Sequence, residues 1–153
     1  MCSSDLDGAS ASLAAYLGVD GGTNTLTIDS GASLSFVKDL GDYSGVLVKS
    51  GGLTLNQAGS LQLATGMNTV LETQAATASL RWNGSGATTL GPGSALSLYT
   101  LPYGTDLGSG GVVATLSGPL SVPASARLSS TSSGLTITPP SASALQFDGS
   151  RSE

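Results

Sequence analysis

Few residues of this 153-residue chain are equipped for chemistry. It holds ten acids, five bases, no histidine and one cysteine, Cys2. Without histidine, neither Ser–His–Asp nor Cys–His nucleophilic catalysis can be assembled, and zinc sites built from His and Cys are excluded too. The oxygen donors fall in two clusters. Asp20, Asn24 and Asp29 surround Gly21-Gly22, and Asp39 and Asp42 surround Leu40-Gly41. Carboxylates and carbonyls gathered in turns are what Ca²⁺ prefers. The first cluster does not match the calcium nonapeptide, and both read as solvated turns. Glycoside hydrolysis needs two carboxylates facing each other across a sugar; here the aspartates sit in turns and Glu72 stands alone. Lyase chemistry would want Arg or Lys beside calcium-bound acids, and bases are too sparse. Gly21-Gly22 and the glycines of residues 108–111 lack the Gly-Lys-Ser/Thr of a phosphate loop. The expectation is a chain that is not an enzyme and takes no cofactor.

Residues 99–111 are the best candidate for recognition. Tyr99, Tyr103 and Asp106 lie there with Pro102 and a glycine cluster. Such a loop on a rigid scaffold is where binding residues collect; the alternative is a connector between repeats. Trp82, the sole tryptophan, reads as a core-edge or end-capping residue, with a ligand platform as the alternative. Asn83-Gly84-Ser85 is a tight-turn signal and a glycosylation sequon, the latter relevant only in a eukaryotic secretory host.

The elements that must carry these residues are short strands. A unit of two alternate apolar residues, five turn-like residues and two more alternate apolar residues recurs. It fits Leu26/Ile28 with Leu34/Phe36, and Leu53/Leu55 with Leu61/Leu63. Looser copies are Thr88/Leu90 with Leu96/Leu98, Leu120/Val122 with Leu128, and Leu135/Ile137 with Leu145/Phe147. Alternation at period two marks a strand with one buried face. Val46/Val48 and Leu80/Trp82 add further pairs, which brings the mean advance toward roughly 20 residues, a solenoid value. A strand is expected over residues 13–19, although residues 7–15 also carry helix-start signals. Two strands around a small-residue turn are expected over residues 64–82. Low charge, abundant Gly, Ser and Thr and 39% apolar residues suit many strands and tight turns.

Residues 16–36, with a Tyr-Leu-Gly strand, a glycine turn and Thr25-Leu26-Thr27-Ile28 before a second glycine turn, resemble the β-solenoid repeats of bacterial autotransporter passengers. Residues 52–63 resemble the filamentous-haemagglutinin style of the same architecture. The resemblance implies an all-β parallel β-helix of about six to seven rungs. It implies a structural stalk of a secreted, adhesin-like protein, placed extracellularly or on the bacterial cell surface in association with the outer membrane. It transfers no functional residue. The alternatives are a trimeric phage tail-fibre or tailspike shaft and a carbohydrate-binding β-sandwich.

The net charge is −5, with Lys38, Lys49, Arg81, Arg127 and Arg151 scattered rather than clustered. Nucleic acid is therefore not an expected partner. No run of about 18 apolar residues is present, so no membrane span is expected. The expected partners are neighbouring rungs of the full-length chain and a host surface or polysaccharide. Cys2-Ser3-Ser4-Asp5-Leu6 and Arg151-Ser152-Glu153 match the translation of a common sequencing adapter. Segments 1–6 and 151–153 are thus expected to be adapter-derived, and residues 7–150 to form a single solenoid segment.

Overall fold

The computed structural model describes residues 2–6, 8–38, 43–141, 144–147 and 150–152. The chain is all-β and winds as a parallel β-solenoid around three flat faces. The longest strands, β3 (Tyr16–Ile28) and β5 (Tyr43–Gln57), bend across the edge between the first and second faces. The first face stacks the leading halves of β3 and β5 with β7 (Asn68–Thr73), β10 (Ala95–Thr100), β13 (Arg127–Thr131) and β16 (Ser150–Ser152). The second stacks β1 (Cys2–Leu6), the trailing halves of β3 and β5, β8 (Ser79–Gly84), β11 (Gly111–Leu116) and β14 (Gly134–Ile137). The third is a six-stranded sheet of β2 (Ser10–Leu13), β4 (Ser33–Phe36), β6 (Ser60–Leu63), β9 (Thr88–Leu90), β12 (Leu120–Val122) and β15 (Leu145–Phe147). Every pairing is parallel. A sandwich would require antiparallel hairpins, so that alternative is set aside.

Alternation does what it promises. β7, β8 and β10 each bury every second residue. The buried residues form ladders along the axis: Val46, Leu71 and Leu98 on the first face, Leu53, Leu80 and Val112 on the second, Phe36, Leu63 and Leu90 on the third. Each fully buried Leu contributes about 2 kcal/mol of transfer free energy, which no single turn could collect without its neighbours.

The advance per turn is longer than the sequence pattern suggests. Leu34 pairs with Leu61 and Leu61 with Thr88, an advance of 27 positions each time; Thr88 pairs with Leu120, an advance of 32. The recurring unit had merged two different corners. At Leu26, Leu53 and Leu135 it runs from the second face to the third, whereas at Thr88 and Leu120 it runs from the third to the first. Both corners hold a similar number of turn residues, so spacing alone does not separate them. The strand expected over residues 13–19 is also interrupted: β2 ends at Leu13, and Ala14-Ala15 carry the chain to the next face. The strands expected around residues 74–78 are β7 and β8.

Two devices fit the ladders together. Where Ile28 fills the second face in one turn, Gln57 stands in the next and Gly84 in the one after. Gln57 is 1% exposed, and its Oε1 accepts the indole Nε1–H of Trp82 at 2.9 Å. Its Nε2 donates to the Ala87 carbonyl at 2.9 Å. Trp82 is therefore a core residue rather than an edge or cap, seated between Leu55 and the small Ala114 with its only polar atom satisfied. At the corner from second to third face, Gly59, Gly86 and Gly118 form a column. A Cβ on Gly86 would overlap the Gly59 carbonyl, and one on Gly118 the Gly86 carbonyl. Absence of a side chain lets successive turns close to strand-pairing distance there.

A tyrosine-bearing face as candidate functional site

The first face meets the second through corners of different build, three of which follow one another at β5, β7–β8 and β10–β11. The turn holding β5 crosses with no interruption of the strand at all. The turn holding β7 and β8 uses residues 74–78. The turn holding β10 and β11 uses residues 101–110, ten residues instead of five. That surplus of five accounts for the advance of 32 rather than 27.

The ten-residue loop is folded and tied down. Arg81 projects outward from β8 on the turn below, and its Nη1 donates to the Gly111 carbonyl at 2.7 Å. Its Nη2 donates to the carbonyls of Leu107 at 2.9 Å and Gly110 at 3.2 Å. Such charge-assisted bonds are about twice as strong as neutral ones. Inside the loop, Thr105 Oγ1 donates to the Pro102 carbonyl at 2.7 Å. The Asp106 carboxylate accepts the Gly108 amide at 2.9 Å, and the Asp106 carbonyl accepts the Gly110 amide at 2.7 Å. At the loop's exit, Thr100 Oγ1 accepts the Val112 amide at 2.9 Å.

Of the three residues singled out in the sequence, the structure brings two together. The Tyr103 hydroxyl donates to the Tyr99 hydroxyl at 3.1 Å, with ring centroids 6.2 Å apart and planes inclined by 56°. Tyr103 is 60% exposed. The hydrogen bond to Tyr99, ahead of partial desolvation, raises the Tyr103 hydroxyl above the ordinary tyrosine value. Asp106 instead shapes the loop by accepting the amides of Gly108 and Gly110.

Sequence reading missed the other half of the site. All four tyrosines of the chain lie on this face or its loop. Tyr16, on β3, is 43% exposed, and Tyr43, on β5, is 60% exposed. The Tyr16 hydroxyl is raised above its ordinary value, first by burial and then by the neighbouring Glu72 and Tyr43. Glu72 stands opposite Tyr99 in register, and its Oε1 accepts the Gln74 amide at 2.8 Å. Tyr16, Tyr43, Glu72 and Tyr99 come from four turns, so only the lateral register joins them. Phe36 and Trp82, by contrast, are buried.

The acidic clusters separate. Asp20 Oδ1 accepts the Ser50 hydroxyl at 2.7 Å. The Asn24 amide donates to the carbonyls of Gly21 and Gly52 at 3.0 and 3.2 Å, which staples the glycine corner. Asp29 lies at the following corner, and Asp39 and Asp42 fall outside the described residues. Among the described residues, no three His, Cys, Asp or Glu side chains gather to hold a metal ion. No described helix is long and apolar enough to cross a membrane. Two of the further hollows differ in chemistry. One of about 260 Å³ is lined by neutral side chains such as Thr27, Asn56, Asn83 and Thr115; the other, about 160 Å³, is an apolar cavity lined by Leu13, Leu17, Leu26 and Phe36. Comparison with protein-family models, curated proteins and solved structures returns no match.

Proposed function

We propose that the chain is a non-enzymatic stalk segment of a secreted or cell-surface adhesin-like protein, whose rungs hold the tyrosine-bearing face away from the cell. The observation that carries this reading is the way the loop of residues 101–110 is accommodated. β10 and β11 keep unbroken parallel register with the turns on either side of them, although the corner between them is doubled in length. A scaffold whose ladders are indifferent to a corner insertion is suited to presenting variable surface while remaining a rod.

Outward amplification from the source DNA tests the reading by recovering the whole reading frame. A secretion signal upstream, with a β-barrel or wall-sorting segment downstream, is the expected result. Neighbouring phage structural genes and no secretion signal would overturn it in favour of a fibre shaft.

A further inference from the structure

We infer that the first face binds a neutral, extended polysaccharide, laid obliquely across the stacked strands and stacked on Tyr16 and Tyr43 at one end and on Tyr99 and Tyr103 at the other. This rests on the stalk reading above and names the ligand class of the surface it presents.

The placement of the aromatics comes first. Tyr16, Tyr43 and Tyr99 occupy outward positions of their strands, and Tyr103 rises from the loop beside Tyr99. Phe36 and Trp82, by contrast, are interior, each 1% exposed. From β3 to β10 the register passes through β5 and β7, three strand steps, or about 14 Å at the spacing of adjacent strands, and Tyr99 stands two residues along its strand from the column of Tyr16 and four from that of Tyr43. The two tyrosine pairs therefore bracket a strip several sugar rings long. The strip between them is a flat sheet rather than a cleft. It carries Asn68 and Glu72 on β7 and Ser97 on β10, with Gln74 at the adjoining corner, and these can donate to and accept from hydroxyl groups.

The shape and charge of the strip select the ligand. A small organic cation would need rings enclosing it from several sides. Here the rings of Tyr99 and Tyr103 stand inclined at 56° on an open face. A flat strip with stacking at both ends fits a polymer whose rings are themselves flat and carry apolar C–H faces, as equatorially linked pyranoses do. The electron-rich face of a tyrosine ring attracts those C–H groups. Charge removes the acidic polymers: Glu72 lies inside the strip and the chain carries −5 overall, so a polyuronate or sulfated glycan is repelled. The tilted Tyr103–Tyr99 pair is held by a hydroxyl–hydroxyl bond and by the Arg81-tethered loop, so its rings are already fixed before a ligand arrives.

The test titrates the whole chain with cellohexaose, xylohexaose and chitohexaose, following tyrosine-ring NMR signals and heat. Saturable binding of at least one is expected. Y16A and Y99A are each expected to weaken it about tenfold, and Y16F to leave it within about twofold, because stacking needs the ring and not the hydroxyl; Y99F, which keeps the ring but deletes the bond to Tyr103, is expected to weaken it less than Y99A does. Circular dichroism and thermal melting verify that each variant is folded. Polygalacturonate binding as tightly as the neutral oligosaccharides would overturn the proposal, as would binding unmoved by Y16A and Y99A. Absence of binding by a monomeric, folded chain would overturn the ligand assignment and leave the stalk intact. A trimer that shields the tyrosines from solvent would overturn both.

Discussion

The chain leaves the first face for the second at residues 49–52 and again at residues 101–110, with unlike chemistry. In the first passage the strand never stops. Gly51 takes a φ of +72° and lies so close to Gly22 of the turn below that a Cβ would overlap its carbonyl. Gly21 and Gly22 take φ values of +88° and +69° in that lower turn, where the register slips between Val19 and Thr23. The second passage leaves the sheet, closes on its own hydrogen bonds and is held by one arginine from beneath. The first is specified by what the residues lack, the second by what one side chain adds. An intrusion into backbone packing has no soft mode of relief, whereas a tethered loop can detach and leave the ladders standing.

Mutation should therefore separate the two passages by size of effect. G51A is expected to lower stability most, by about 3–4 kcal/mol, with a thermal midpoint about 10 °C lower, because a left-handed φ and a backbone collision act together. A midpoint within two or three degrees of the parent would show that the glycine corner is soft after all.

The strand that leaves the glycine corner ends in Gln57. Q57A removes the acceptor of the Trp82 indole and opens a hole beside it, for an expected loss of about 2–3 kcal/mol and an altered tryptophan emission. Unchanged emission and midpoint would mean that the Gln57–Trp82 pair does not hold the second face.

R81M keeps most of the aliphatic stem and deletes the bonds to the carbonyls of Leu107, Gly110 and Gly111 on the next turn. The expectation is a loss of about 1–2 kcal/mol together with faster proteolytic nicking within residues 101–110. If R81M fell as far as G51A, the contrast between the two passages would collapse.

Smallest of all should be the replacement of residues 101–110 by the five residues Gln-Ala-Ala-Thr-Ala that make the corresponding corner one turn below. The ladders of β10 and β11 do not run through the loop, and halving a loop changes closure entropy by only about 0.6 kcal/mol. A denaturation midpoint within about 3 °C of the parent is expected.

Much of this was legible in the residues. The alternations at Leu53/Leu55, Leu61/Leu63 and Leu96/Leu98 gave strands with the correct inward face, and the glycine and proline clusters gave their ends. The order of faces was not legible. A corner after Leu90 looks like a corner after Ile28, because both are set by local turn chemistry, whereas their identity depends on which strand lies a full turn away. The site divides along the same line. Tyr99 and Tyr103 are four residues apart and could be paired by reading. Tyr16 and Tyr43 join them only through register, and no local pattern encodes a neighbour 25–32 positions distant. Gln57 was hidden for a related reason: a polar residue at an apolar position is recognisable only once its partner, Trp82 on the next turn, is known.

The hydrogen bonds of all three faces run parallel to the long axis, and this fixes how the rod behaves under load. A pull between its ends opens those bonds in series, one turn at a time, rather than shearing a whole sheet at once. A turn of 27 residues contributes about 4.8 Å while coiled and up to about 90 Å once drawn out. Each turn is thus a stored length nearly twentyfold its height, and a tether built this way yields in steps while the turns still wound keep their tyrosines in place.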